Sequence, residues 1–474
     1  MRTAGFRKMQ GQIAIMTGLL IIVLVGAVGL AIDSGLGYII RAKLNGAVDA
    51  AAIAGARAVV IGNNQAEQTA SAKAAAVNFF NANYANGYMN SIPTLNPGDI
   101  SVTFDPPPNN GRITVGVTAS ARVPVNLMGV FGFDIMQVGS SAEAIRKDLD
   151  MAFVVDTTGS MSGVAGTVRR EAKNFLTLFN ATVDRVALMH FSSGGVLDVG
   201  FKPGYTRGFD RGTDINSTTG GSMYTKINSY RFEGWTNYAE GMWHARNQLN
   251  SIPSGSRSSL RVIVFFSDGS PNTISSFYTY RNASYCTQAG SIASNEGATG
   301  TPTGLFSYNL QDEILPGNCG GRDDDIWQFL STTAALPEYY NAHAKTDQEF
   351  RFAPNPTTNP SGLRTVTNNN STRQRLYTNI NNASRNIAEQ MAWKSRSEGI
   401  YVFTLGLGSN LTQRNGPNNE LGSDVLKCMA NTKDAPVRCR MTAQPIGEYC
   451  YAATTSELQP CFDRLASRIL RLSK

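Results

Sequence analysis

Residues 153–163 read FVVDTTGSMSG. The apolar β-formers that begin it belong to a run, DMAFVVD (150–156), with the composition of a strand buried on both faces. Straight after it, Asp156, Thr158 and Ser160 place an oxygen-bearing side chain at every second position. Such a loop can cradle a metal, carry a nucleophile, or cap a turn by satisfying backbone N–H groups. What surrounds it decides among these.

From residue 150 onward strand and helix patterns alternate, the signature of a mostly parallel sheet covered on both faces. TVRREAKNFLTLFNA reads as a helix, and RVALMHFSS (185–193) as a second strand with a hairpin partner near VLDVGF. TNYAEGMWHARNQL is a helix, LRVIVFFSDG (260–269) a strand, and STRQRLYTNINNASRNIAEQMAWKSRSEG a long helix. GIYVFTLGLG (399–408) and EYCYAAT (448–454) are further strands, and SELQPCFDRLASRILRL closes as an amphipathic helix. Residues 273–372 break the rhythm. They are rich in Asn, Thr, Ser and Gly and read as a large insertion stapled by a disulfide, since they carry Cys286 and Cys319. Its placement after the SDG strand directs it toward the same face as the DTTGS loop, to shape or cap a site there or to serve as decoration.

In open α/β sheets ligands bind beyond the carboxyl ends of the strands. Asp156, Thr158 and Ser160 occupy one such loop and Asp268 another, while Thr236 in GWTN opens a helix from a third. Converging carboxylates and hydroxyls are the ligands a hard divalent cation takes. Phosphotransfer is disfavoured, because the loop lacks a lysine and no Gly-rich nucleotide cradle accompanies it. His190, His244 and His343 show no metal-ligand spacing and no G-x-S-x-G elbow goes with them. An enzyme is not expected. Asp323, Asp324 and Asp325 read as the acidic first turn of a helix over IWQFL.

The 474 residues, 42% apolar and 16% charged, are enough for two or three folded domains. A net charge of +7 spread without like-charge blocks argues against a nucleic-acid partner. Residues 13–32, IAIMTGLLIIVLVGAVGLAI, carry no charge and as a helix span roughly 30 Å, the thickness of a bilayer core. Arg2, Arg7 and Lys8 before them place the amino terminus in the cytoplasm, although Arg41 and Lys43 lie on the other flank. A cleaved signal peptide, cut after small residues such as Gly29 and Ala31, is the rival reading. All six cysteines lie beyond this segment and none forms a CxxC pair, which fits disulfides in an oxidising compartment. The last four stand eleven residues apart, so the spacing leaves the pairing open.

Between the two regions, residues 33–147 read as a module of their own. SGLGYIIRAKLNGAVDAAAIAGARAVV prolongs the apolar helix, residues 66–85 form a second, and ISVTF, RITVGVTASARVPV and FDIMQVGSSAEAI form a small antiparallel sheet of about three strands, the first two joined by the PPPNNG turn. The small residues of NGAVDAAAIAGARA suit either contact with another protein's helix or plain packing within the chain.

With DTTGSM followed by GWTN, VFFSDG, IYVFTLGLG and a terminal strand and helix, residues 148–474 resemble the von Willebrand factor A domain, a Rossmann-like α/β fold. The resemblance implies a metal-ion-dependent adhesion site holding Mg²⁺ or Mn²⁺ through Asp156, Thr158, Ser160, Thr236 and Asp268, with Thr158 where serine is usual. It also implies a protein partner that offers a carboxylate to the metal. The front of the chain, with its short basic leader (1–12), apolar helix (13–32) ending in AID, and LNGAVDAAAIAGAR, resembles the TadE/TadG-like segment of Tad (Flp) pilus-assembly proteins. The combined architecture is similar to TadG-like proteins. It implies a single-pass protein of the bacterial inner membrane, periplasmic in bulk, acting in pilus assembly or anchoring. An envelope or surface adhesin unrelated to pili is the alternative.

Overall fold

In the computed structural model, residues 9–61, 64–104, 112–146, 148–282, 284–295, 301–319, 326–330, 336–353, 363–367 and 369–472 are described. The basic leader residues Arg2, Arg7 and Lys8, the PPPNNG turn and Asp323–Asp325 lie outside them. The chain forms two compact units, residues 1–146 and 147–473.

The first unit opens with one continuous helix, α1 (Met9–Ala58), followed by α2 (Gln65–Asn83), whose first turn is capped by the Asn64 side chain accepting from the Glu67 N–H. Its sheet has four strands: β1 (Ile92–Thr94), β2 (Ile100–Phe104), β3 (Ile113–Pro124) and β4 (Ile135–Arg146). β3 is central, pairing antiparallel with β4 along its whole length on one side and with β1 and β2 on the other. The sequence pattern shows three of these strands. β1 is only three residues long and contains Pro93, too short for an alternation to register.

Alternate residues of β3, Ile113, Val115, Val117, Ala119, Ala121 and Val123, are buried, as the period-two pattern requires of a sheet with one covered face. The small residues of α1 are used inside the unit: Ala47, Ala51, Ala52, Ala54, Ala56 and Ala58 are buried. A Cβ at Gly55 would stand 2.9 Å from Val115 Cγ1 and 3.2 Å from the Ala72 carbonyl oxygen. Of the two readings of this stretch, packing within the chain is therefore the one observed.

In the second unit a six-stranded sheet has the order β15-β12-β8-β5-β6-β7. Its members, with the helices between them, follow in chain order. β5 (Leu149–Asp156) leads to α3 (Ala165–Leu176); β6 (Arg185–Phe191) and β7 (Gly195–Val199) form the antiparallel hairpin; α4 (Met223–Asn228) and α5 (Tyr238–Ser251) precede β8 (Leu260–Ser267). The insertion brings β9 (Thr273–Ser276), β10 (Gly290–Ala293) and β11 (Thr303–Phe306), a separate antiparallel sheet. Then come α6 (Arg373–Ser397), β12 (Tyr401–Leu407), the two-residue pair β13 (Arg414–Asn415) and β14 (Glu420–Leu421), α7 (Gly422–Ala430), β15 (Tyr449–Ala452) and α8 (Leu458–Leu472). All pairings in the large sheet are parallel except β6 with β7.

Because β5 is buried on both faces, its residues divide by parity. Met151, Phe153 and Val155 join α3, α4 and α8 in one core; Ala152 and Val154 join α5, α6 and α7 in the other.

The insertion belongs to that second core. Ile274, Ile292, Leu305, Tyr340 and Phe352 are buried in the same cluster as Met242 and Ile387, so the segment is part of the fold and the decoration reading fails. Cys286 pairs with Cys319 inside it. Where a helix was expected over IWQFL, Ile326–Gln328 form only a 3₁₀ turn. Leu330 is drawn into a bridge with Tyr280, and the Trp327 indole donates to the Asn370 carbonyl at 2.7 Å. The remaining pairs are Cys428–Cys439 and Cys450–Cys461.

Candidate functional site

β5 and β8 are parallel neighbours in register, Val155 opposite Phe266, so the loops that follow them leave the same edge of the sheet side by side. That register sets Asp156 beside Ser267, whose hydroxyl donates to Asp156 Oδ2. Asp156 Oδ1 accepts the N–H of Thr158, which bends the chain into a 3₁₀ turn, Gly159–Val164, ahead of α3. The turn brings the Thr158 and Ser160 hydroxyls to 3.0 Å from each other, and Ser160 donates to Asp268 Oδ1 at 2.7 Å. Asp156, Thr158, Ser160 and Asp268 are thus one connected set of oxygens.

Thr236 comes from a third loop. Its N–H donates to Asn272 Oδ1 at 2.9 Å, and its carbonyl accepts from the N–H groups of Asn272 and Thr273. A Cβ on Gly269 would lie 3.6 Å from its hydroxyl, which therefore borders the residue after Asp268 without bonding the other four side chains. The turn just before it, at Gly234 (φ +80°), is clamped to the first loop by the Gly159 N–H donating to the Gly234 carbonyl at 3.1 Å.

The electrostatics point one way. Asp156 is fully buried and Asp268 nearly so, and among the described residues neither has a cationic side chain within ion-pair distance. Burial first, and for Asp156 the neighbouring Asp268 carboxylate second, push both acids well above the ordinary carboxylate range. Ser160, by contrast, is exposed, so the cluster opens to solvent on that side. Two buried carboxylates, two hydroxyls in contact and a third beside them, all oxygen and short of positive charge, fit a hard divalent cation by the chemistry of the donor set. Among the described residues no group of three or more His, Cys, Asp or Glu side chains is placed to hold a metal ion, here or elsewhere, so a cation at this site would depend on the hydroxyls beside the two carboxylates.

The insertion walls one flank. Gly194 and Gly195, after β6, donate their N–H groups to the carbonyls of Gln311 and Tyr308 at 3.0 and 2.9 Å. Ser193 donates to Asp312, and Gln311 donates to the Arg231 carbonyl and reaches the Thr157 hydroxyl at 3.5 Å. Arg231 in turn pairs with Glu313 at 2.7 Å and Glu233 at 3.0 Å. Ser267, Gln311 and Asp312 are absent from the expected site. Ser267 was detectable as the residue beside Asp156 on the adjacent strand; Gln311 and Asp312 lie 80 to 154 positions from the partners their side chains bond, beyond any local pattern.

Each of the three histidines has a partner within the fold. His190 is buried against Asp198 at 2.8 Å, His343 contacts the buried Glu240 at 2.8 Å, and His244 reaches the Gly195 carbonyl at 3.2 Å.

Comparison with known proteins agrees with this architecture. Residues 150–294 match the model of the von Willebrand factor type A domain, and residues 11–58 that of the Flp pilus-assembly TadE/G-like family. Among solved structures, the pilus adhesin SpaC from Lactobacillus rhamnosus GG is 14% identical over 81% of this chain and 36% of its own, with a TM-score of 0.36. The PilB minor pilin from Streptococcus sanguinis is 15% identical over 82% of this chain and 80% of its own, with a TM-score of 0.35. The vWF domain of the type V pili tip protein Mfa5 from Porphyromonas gingivalis is 16% identical over 70% of this chain and 98% of its own, with a TM-score of 0.36. The chain spans about a third of the length of SpaC. No curated protein matches it.

Proposed function

We propose that this chain is a single-pass inner-membrane protein of Tad/Flp pilus assembly or anchoring, with its second unit in the periplasm, and that it captures a carboxylate of a pilus or envelope protein through a metal-ion-dependent adhesion site. The observation that carries the reading is the oxygen cluster of Asp156, Thr158, Ser160 and Asp268 at the carboxyl edge of a von Willebrand factor A sheet, with Thr236 beside it. The TadE/G-like match and the one described helix long and apolar enough to cross a membrane support the anchor. Three disulfides and no free cysteine suit an oxidising periplasm.

In this reading the five residues hold Mg²⁺ or Mn²⁺. When bound, the ion supplies an electrophilic position that a partner carboxylate oxygen fills. The chain's own residues do the rest. The Thr158 N–H and the Ser267 hydroxyl fix the Asp156 carboxylate. Ser160, exposed, marks the side from which a partner approaches. The insertion segment around Gln311 and Asp312 pins the β6 and Gly234 loops, so the donors are set before the partner arrives.

The test is affinity capture of the tagged full chain from membranes of a piliated cell, in Mg²⁺ and in EDTA, beside Asp156→Ala. Pilus-assembly proteins retained only by wild type and only in Mg²⁺ support the proposal. Equal retention in all three sinks the metal-bridged mechanism. Capture of the same proteins by neither, with piliation intact in a deletion strain, sinks the pilus role and leaves the envelope adhesin.

A further inference from the structure

The hairpin tip between β3 and β4, VNLMGVFGFD (125–134), has no charged side chain from Asn126 to Phe133. Phe131, Phe133 and Ile135 are 42%, 59% and 60% exposed, and Leu127 is open to a similar degree as Phe131. A cluster of this kind does not face water without reason. Its neighbour within the unit is the apolar run of α1. A Cβ at Gly26 would meet the Phe131 ring at 3.1 Å, and one at Gly29 would meet Leu127 Cβ at 3.1 Å. Gly26 lies six residues inside the end of that run at Ile32, roughly 9 Å along a helix axis. The helix around it is equally bare: Val28, Leu30 and Ile32 are exposed.

The polar groups of the tip are arranged to match. Asp33, buried just past the apolar run, accepts three backbone N–H groups: Asn126 at 3.0 Å, Leu127 at 3.1 Å and Met128 at 2.8 Å. Val125 donates to the Asp134 carbonyl, Gly132 to Gly129 and Phe133 to Met128. Irregular backbone survives at hydrocarbon depth only when its polar groups are satisfied by protein, and six N–H groups of this tip are so satisfied, three by Asp33 and three by carbonyls of the tip itself.

We propose that the tip from Leu127 to Phe133 is inserted in the lipid leaflet next to Asp33, a second membrane contact beside α1, with Asp33 acting as the polar lock that makes insertion tolerable. This rests on residues 13–32 crossing the bilayer. The tip is continuous with that lipid-facing surface, which selects bilayer hydrocarbon as its occupant. The four-stranded module is then held against the membrane at two points.

Since every cysteine is paired, one introduced cysteine gives one labelling site. Full-length Leu19→Cys, Phe133→Cys and Thr118→Cys carry a nitroxide in liposomes of phosphatidylethanolamine and phosphatidylglycerol. Collision with oxygen is compared with collision with a water-soluble nickel chelate. Thr118 is exposed on β3 about 20 Å back from the tip. Phe133 packs little, so its replacement spares the fold. Labels at 19 and 133 favouring oxygen severalfold, with 118 favouring nickel, is the expected result. A label at 133 that follows 118 while 19 favours oxygen overturns the insertion and leaves the anchor standing. A label at 133 shielded from both agents shows protein covering the tip and overturns it too. If 19 favours nickel, the membrane-spanning reading falls, and the insertion with it.

Discussion

Replacing Asp156 by Asn separates a metal site from a structural turn. Asn keeps an oxygen where Oδ1 accepts the Thr158 N–H and places an amide where Oδ2 meets the Ser267 hydroxyl, so neither hydrogen bond need be lost. What disappears is a buried negative charge facing a second one on Asp268, with no cation paired to either among the described residues. An unpaired buried charge is costly, so in EDTA the variant should be as stable as wild type or more so. Mg²⁺ reverses the order. At 100 times its dissociation constant, a ligand bound only by the folded state adds about 2.7 kcal/mol. For the unit 147–473, an unfolding entropy of about 2.1 cal/mol/K per residue turns this into a Tm rise of about 4 °C. Calorimetry of the detergent-solubilised full chain, with and without Mg²⁺, reads both numbers. A rise of equal size in the variant would place the ion elsewhere, and a variant much less stable than wild type in EDTA would make Asp156 a structural cap.

Three further outcomes follow from the same structure. Gly194→Ala should destabilise the second unit by about 1–3 kcal/mol, since its Cβ would stand 2.2 Å from the Leu310 carbonyl oxygen and 2.4 Å from that of Ser307; denaturant melts check this, and an unchanged midpoint would mean the insertion is not docked there. Removing both cysteines of the 286–319 pair, which closes 33 residues, should cost about 3.7 kcal/mol by loop entropy, against about 2.8 kcal/mol for either 11-residue pair; chemical denaturation of the double variants ranks them. The third concerns acid. Burial opposes ionisation of Glu389, but Arg364 at 3.0 Å and Arg438 outweigh it and hold the acid below its ordinary 4.5. A lowered folded pKa gives stability that is present above the unfolded value and lost as pH falls through the folded one. The gap between Glu389→Gln and wild type should therefore be full and constant above about pH 4.5 and narrow progressively as pH falls below it; a constant gap from pH 3 to 7 refutes the assignment.

Predominantly apolar runs made β5, β8 and β12 legible, because a strand buried on both faces needs no alternation and little else of that length is tolerated between turns. The convergence of Asp156, Thr158, Ser160 and Asp268 was legible for a related reason: parallel neighbours must release their loops at one edge. The limits are equally physical. α7 is nine residues and β13 and β14 two each, below the length at which a period declares itself. Even spacing left the last four cysteines open. The structure resolves them by location, since Cys450 and Cys461 lie in the core under α8 while Cys428 and Cys439 form a small cluster of their own. The Gln311 and Asp312 contacts depend on where a long insertion returns, which no local window contains.

The carboxylates show best what sequence withholds. In the sequence Asp33 and Asp156 are alike, each the first acid after an apolar run. Folding gives them opposite surroundings. Asp33 receives three backbone N–H groups, and among the described residues no carboxylate is paired against it, so its charge is answered by hydrogen bonds from within the chain. Asp156 has the Thr158 N–H and the hydroxyls of Ser267 and Thr158, but burial and the facing Asp268 carboxylate outweigh them and raise its pKa. A buried acid already satisfied has a structural task; a buried pair left short of positive charge beside an exposed serine has the donor chemistry that the proposed cation would use. That difference, invisible in a count of acids, makes the DTTGS loop the place to look for a ligand and the Asp33 contact the place to look for a lock.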